Sequence, residues 1–195
     1  MDKSLISIAI PVYPQMKNGD VLLKRCIDSI LKQTYKNYEI VITTSGSMAE
    51  NTNKALKASK GDLIKILYQD DYLAHEDALK SIVEAFRGYW LVTGCEHDDG
   101  LSVGRPHYPI FDENENHIGS PSVLTIKNGL DMYFDENLGW LLDLDLYKRL
   151  YAKFGEPDIL DEMNVVIGIG GHQATNTMGE EVKQNERIYL NEKYS

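Results

Sequence analysis

Two adjacent carboxylates, Asp70 and Asp71, follow the apolar run Leu63, Ile64, Ile66 and Leu67, and a helical pattern begins at Ala74, His75 and Glu76. Carboxylates that end a strand at the mouth of an α/β sheet can hold a divalent cation against a phosphorylated ligand. Gln69-Asp70-Asp71 is therefore a candidate nucleotide-diphosphate site. The competing reading is an acidic turn that only caps the next helix. A second candidate is Asp143, in the first turn of a helical segment beside Trp140, Leu141 and Leu142. Apolar neighbours desolvate a carboxylate and raise its proton affinity toward that of a general base. The plainer alternative makes Asp143 and Asp145 first-turn charges favoured by the helix dipole. His172 follows Gly168, Gly170 and Gly171, small residues that would let the backbone approach a ligand, and so joins the candidates. Histidines 75, 97, 107 and 117 show no metal-ligand spacing.

Strands and helices must alternate to bring such residues together. Residues 5–10 read as a buried strand stopped by Pro11, and 21–31 place Leu22, Leu23, Cys26, Ile27, Ile30 and Leu31 at helical spacing. Residues 38–43 are β-branched and aromatic, a second strand. Ser47 and Glu50 fit a capping box that opens a helix running to about residue 59, where Gly61 ends it. A strand over 62–68, a helix over 75–86 and a strand over 89–93 complete a β-α-β-α-β-α-β series. That order predicts an α/β fold, a single Rossmann-like domain with a mainly parallel central sheet flanked by helices. Its ligand would sit at the carboxyl ends of the strands, where Pro11 to Tyr13, Thr44 to Ser47 and Gln69 to Asp71 fall. From residue 95 to 121 no period is visible, which predicts a long functional loop and candidate lid. In the later helix, Leu142, Leu146, Leu150 and Phe154 share a face.

Composition narrows the partners. The 195 residues, 43% apolar and 26% charged, suit one globular domain. A formal charge of −10 and the lack of a basic stripe argue against a nucleic-acid partner. The same charge repels a diphosphate unless a cation offsets it. The apolar runs 5–12 and 165–169 are far too short to span a bilayer, and the amino terminus carries no signal pattern. The expectation is a cytoplasmic protein with no membrane-spanning segment. Cys26 and Cys95, each in an apolar setting, read as buried free thiols.

Over residues 4–175 the chain resembles glycosyltransferase family 2, with its GT-A fold. The likeness rests on Ser7-Ile8-Ala9-Ile10-Pro11-Val12-Tyr13 and on the string from Leu23 to Ile40, with its Ser29-Ile30-Leu31 and Gln33-Thr34-Tyr35 elements leading to Glu39. Asn53-Lys54-Ala55-Leu56, then Ala58 and Gly61-Asp62, resembles the segment before the family's metal motif.

The resemblance implies an inverting, metal-dependent enzyme that transfers a sugar from a nucleotide-diphosphate sugar, a UDP-sugar first, to a hydroxyl of a glycan or other acceptor. Pro11, Val12 and Tyr13 would border the base, with Thr44, Ser45, Asn53, Gln69, Asp70 and Asp71 completing the donor site. Asp70 matches the last carboxylate of an Asp-x-Asp motif that binds Mn²⁺ or Mg²⁺, His172 resembles a late metal or diphosphate contact, and Asp143 matches the catalytic base. Gly119, Ser120 and Trp140 would meet the acceptor. Two departures stand out. Tyr68 replaces the motif's first Asp, and Thr44-Ser45 occupies the place of two Asp, passing the base contact to a hydroxyl or the backbone. Residues 1–94 would form the nucleotide-sugar half, 95–178 the acceptor and catalytic half, and 179–195 a terminal helix or an oligomer contact. The departures keep a non-catalytic nucleotide-sugar-binding module open. A nucleotidyltransferase is the other alternative, although no Gly-rich triphosphate loop bearing Lys or Arg follows the first strand.

Overall fold

The computed structural model describes residues 4–112, 115–171 and 173–195. The first half follows the alternation read above: β1 (Ile6–Pro11), α1 (Gly19–Leu31), β2 (Tyr38–Thr43), α2 (Met48–Ala58) and β3 (Leu63–Ile66). β1 is buried along its whole length, as expected of an inner strand covered on both faces. α2 opens on the anticipated capping box: Glu50 N–H donates to Ser47 Oγ (3.3 Å) and Ser47 N–H donates to Glu50 Oε2 (2.7 Å). A two-residue strand, β4 (Tyr72–Leu73), and a helix shorter than expected, α3 (Ala78–Ala85), lead to β5 (Trp90–Asp98).

The second half adds β6 (Val103–His107), a 3₁₀ turn over Pro121–Val123, β7 (Leu124–Lys127), α4 (Leu142–Phe154), β8 (Asp158–Gly168), α5 (Ala174–Thr177) and α6 (Glu180–Lys193). The sheet order is β2-β1-β3-β7-β5-β8-β4, with β6 on β5. β1 is parallel to β2 and β3, and β5 to β8, while β7 is antiparallel to both β3 and β5. β1, β2, β3, β5 and β8 thus run one way, and the chain forms a mixed α/β domain with a mostly parallel sheet flanked by helices.

Two expectations change. β5 does not simply extend the parallel series, because the short β7 from the second half is inserted between it and β3. Four residues are too few to show a period, so the pairing decides the strand. The long-loop reading of residues 95–121 also fails at its start, since β5 runs on to Asp98 and β6 returns against it, Cys95 opposite His107. This hairpin is half-exposed and polar and includes Gly104 and Pro106, so it lacks the apolar alternation by which strands are read.

The core lies between the sheet and its helices, centred on Ile6, Ile8, Ile10, Ile66, Leu79 and Trp90. No helix among the described residues is long and apolar enough to cross a membrane. α6 is tied to the preceding layer by polar contacts. Lys193 pairs with Asp135 (2.6 Å) and Asp145 (2.7 Å), and the Tyr194 hydroxyl donates to Asp145 Oδ1 (2.7 Å).

Candidate active site

A cleft of about 1570 Å³ opens where β1, β3 and β8 end. Pro11, Tyr13, the start of α2, Tyr68 to Asp71, Gly119, Ser120, Trp140 and Asp143 all line it. Tyr13 is 57% exposed and lines the cleft, so its ring is accessible to a flat ligand. Its backbone N–H donates to the amide of Gln69, which is buried. Asn51, a residue that sequence reasoning missed, also lines the cleft. Its Nδ2 donates to Val12 O (2.9 Å) and its Oδ1 accepts from Ser45 N–H (3.2 Å), joining the ends of β1 and β2. The available signal was a polar residue on the core-facing side of α2.

The acidic turn divides its two carboxylates. Asp70 is half-buried and lines the cleft. Its carbonyl accepts from Arg25 Nη2 (2.7 Å), and Gly168 packs so closely that an added Cβ would lie 2.5 Å from that carbonyl oxygen. Asp71 is only 2% exposed and accepts from Gly168 N–H (2.8 Å). Burial, then the neighbouring Asp70 charge, pushes the Asp71 carboxyl well up, against hydrogen bonds from Ser122 and Gly168 and the charge of Lys65. Lys65 is fully buried, which pushes its ammonium down while Asp71 opposes the shift, and it donates to the Ser122 carbonyl. Ser122 Oγ also accepts from Tyr68 N–H (2.8 Å), so one buried network anchors the turn from below.

Asp143 stands at the start of α4. Oδ1 accepts from Leu144 N–H (2.7 Å) and Oδ2 from Asn116 Nδ2 (2.8 Å). Asn116 is oriented by its own bonds, since its Oδ1 accepts from Ile118 N–H (3.0 Å) and Gly119 N–H (2.9 Å). Burial raises the Asp143 carboxyl to about 7, opposed by the donors from Leu144 and Asn116 and helped by the charge of Glu186. Such a carboxylate is about half ionised at neutral pH, and its ionised form is basic enough to take a proton from a hydroxyl. The Tyr68 phenol is pushed up by burial, opposed by a hydrogen bond with Thr52, and the charges of Asp143, Asp71 and Asp70 add to the rise.

Not every expected residue joins them. Asn53 is 2% exposed and spends its amide on Phe134, donating to its carbonyl (2.9 Å) and accepting its N–H (2.7 Å), outside the lining of the cleft. Thr44 and Ser45 are exposed beyond β2 and also outside that lining, and Ser45 accepts from Lys54 Nζ (3.0 Å at its carbonyl, 3.1 Å at Oγ). His172 lies outside the described residues. Among the described residues no three His, Cys, Asp or Glu side chains gather as a ready-made metal cage.

The model of glycosyl transferase family 2 matches residues 7–99. An uncharacterised glycosyltransferase of Rickettsia prowazekii is 46% identical over 236 residues, covering 95% of this chain and 70% of that protein. The chain belongs to glycosyltransferase family 2. Glycosyltransferase GlyA of Streptococcus pneumoniae is 48% identical across 95% of this family 2 chain, which spans 28% of GlyA. Among solved structures, S. aureus TarS 1-349 in complex with UDP-GlcNAc superposes with a TM-score of 0.73 at 18% identity, over 94% of this chain and 64% of that TarS 1-349 chain. The mannosyltransferase PcManGT of Pyrobaculum calidifontis, in complex with GDP-Man and Mn²⁺, has a TM-score of 0.59 at 13% identity, over 95% of this chain and 61% of PcManGT. These structural likenesses concern the GT-A-type fold.

Proposed function

We propose that this glycosyltransferase moves a sugar from a UDP-sugar to an acceptor hydroxyl with inversion at the anomeric carbon. The observation that carries the reading is that Asp70 and Asp143 line one cleft together with Tyr68. Residues 1–94 hold the nucleotide sugar, with Pro11, Val12 and Tyr13 bordering the base and Gln69 fixing Tyr13 from beneath. Residues 95–178 receive the acceptor against Gly119, Ser120 and Trp140. Asp143 removes the proton from the acceptor hydroxyl as that oxygen bonds to the anomeric carbon, on the face opposite the departing diphosphate.

A divalent cation fits the donor set. Mg²⁺ and Mn²⁺ at nucleotide sites take one or two carboxylates and complete their shell with phosphate oxygens and water, so a fully preassembled cage is not required. Asp70 would hold the ion, and His172 is the second candidate ligand. When bound, the ion would neutralise the diphosphate and ease its departure. In a chain of charge −10, such compensation also favours donor capture.

The test is a thermal-shift screen of nucleotide sugars with Mn²⁺, with Mg²⁺ and with EDTA, followed by assay of UDP release on candidate acceptors and of the product anomer. UDP-sugars should give the largest metal-dependent shift, and the product should be inverted. Saturable binding without turnover would favour the binding-module reading, and pyrophosphate release from a nucleoside triphosphate would favour a nucleotidyltransferase.

A further inference from the structure

Glu186, on α6, is only 7% exposed, and its carboxylate is filled by three successive backbone amides from a distant segment. Oε1 accepts from Gly139 N–H (2.8 Å) and Trp140 N–H (3.2 Å), and Oε2 from Trp140 N–H (2.9 Å) and Leu141 N–H (2.8 Å). These amides lead directly into α4. Leu141 occupies the N-cap position of that helix and has no side-chain oxygen with which to cap it, so a remote carboxylate supplies the acceptors there. Charged acceptors for backbone N–H groups make strong hydrogen bonds, and a single rigid group binding three consecutive amides fixes their direction as well as their position.

The same helix grips the Trp140 side chain. The Arg187 guanidinium lies 4.7 Å from the ring centroid and Lys183 Nζ 5.5 Å, while Trp140 Nε1 donates to Thr175 Oγ1 (3.3 Å). Residues 183, 186 and 187 fall on one face of α6, at the i, i+3, i+4 spacing that lets them act on one target. One turn of a terminal helix thus holds the residue that lines the cleft beside Asp143. Lys193 and Tyr194 reach Asp145, in the first turn of α4, so the two helices are tied at a second point.

We propose that Glu186 is a positioning residue for sugar transfer: by clamping the amides of Gly139, Trp140 and Leu141 it fixes the direction in which Asp143 and the Trp140 ring face the acceptor. The inference rests on the reading of Asp143 as the base. It assigns to the 179–195 segment a part in the site. Its negative charge has a second effect, because it adds to the burial that raises the Asp143 carboxyl. Removing the charge while keeping the shape should therefore let Asp143 ionise at lower pH, an effect that loosened packing alone would not produce.

The experiment compares wild type, Glu186→Ala and Glu186→Gln for kcat, acceptor KM, the pH profile of kcat/KM, binding of UDP with Mn²⁺, and melting temperature. Glu186→Ala should lower kcat about 10- to 100-fold through misplacement of the base. UDP binding should stay near wild type. Glu186→Gln, which can still accept from two of the amides, should recover part of kcat and shift the acid limb to lower pH. Wild-type kcat in Glu186→Ala, or an unmoved acid limb in Glu186→Gln, would overturn the proposal. A ¹³C-carboxyl NMR titration of Asp143 in wild type and Glu186→Gln reads the same downward shift without turnover. If no acceptor is glycosylated by wild type, the transferase reading fails by that result, while the titration still decides whether Glu186 acts on Asp143.

Discussion

Replacing Asp143 with Asn should remove activity and, on the alkaline side, stabilise the protein. Burial raises this carboxyl from 3.8 to about 7 in the folded chain. A folded-state proton affinity above that of the unfolded chain gives a contribution fully present below the unfolded value, near 4, and lost as pH rises through about 7. Three pH units at 1.36 kcal/mol each set a ceiling of about 4 kcal/mol for the penalty that the ionised form imposes above pH 8. Asn carries no such penalty. It keeps an oxygen for Leu144 N–H but turns an N–H₂ toward Asn116 Nδ2, forfeiting a hydrogen bond worth about 1 kcal/mol. The net expectation is a gain of about 1–3 kcal/mol at pH 8.5 and a loss of about 1 kcal/mol at pH 4. For a chain of this length each kcal/mol is about 2–4 °C in melting temperature. Melting curves of both proteins from pH 4 to 8.5 isolate the site, because every other titrating group is common to the pair. Transfer should fall by about 10²–10⁴, the usual worth of a general base, while UDP binding persists. A melting difference that stays flat with pH would refute the reasoning, since Asp143 would then ionise alike in folded and unfolded chains.

Three further outcomes are expected. Gly168→Ala places a methyl 2.5 Å from the Asp70 carbonyl oxygen, a backbone atom that cannot rotate aside, so Mn²⁺-dependent binding of UDP should weaken at least tenfold in calorimetry. Asp70→Ala should weaken UDP binding in Mn²⁺ yet leave binding in EDTA unchanged; equal loss in both would remove Asp70 from the cation's shell. Asn116→Ala deletes a donor that favours the ionised Asp143, so the acid limb of kcat/KM should move to higher pH, opposite in direction to Glu186→Gln.

Much of the fold is written in short-range pattern. The buried run of β1, the Ser47–Glu50 box that starts α2, and the strand β3 that leads toward Asp70 each depend on neighbours a few residues apart, which spacing and residue type reveal. The candidate acids were visible for the same reason: a carboxylate after an apolar strand and another at the head of an amphipathic helix are local motifs. What each side chain does there depends on contacts far along the chain. Asp70 and Asp71 both line the cleft yet differ, Asp70 being half-buried and Asp71 buried with its carboxylate accepting from Gly168, 97 positions away. Asn53, expected near the donor, is instead consumed by Phe134, 81 positions on. The antiparallel insertion of β7, the polar β5–β6 hairpin and the grip of Glu186 on Trp140, 46 residues apart, leave no periodic trace. Residue order announces a strand, a cap or an acid, because those arise from covalent neighbours; partners across the sheet are chosen by burial and unsatisfied hydrogen bonds once the chain has closed on itself.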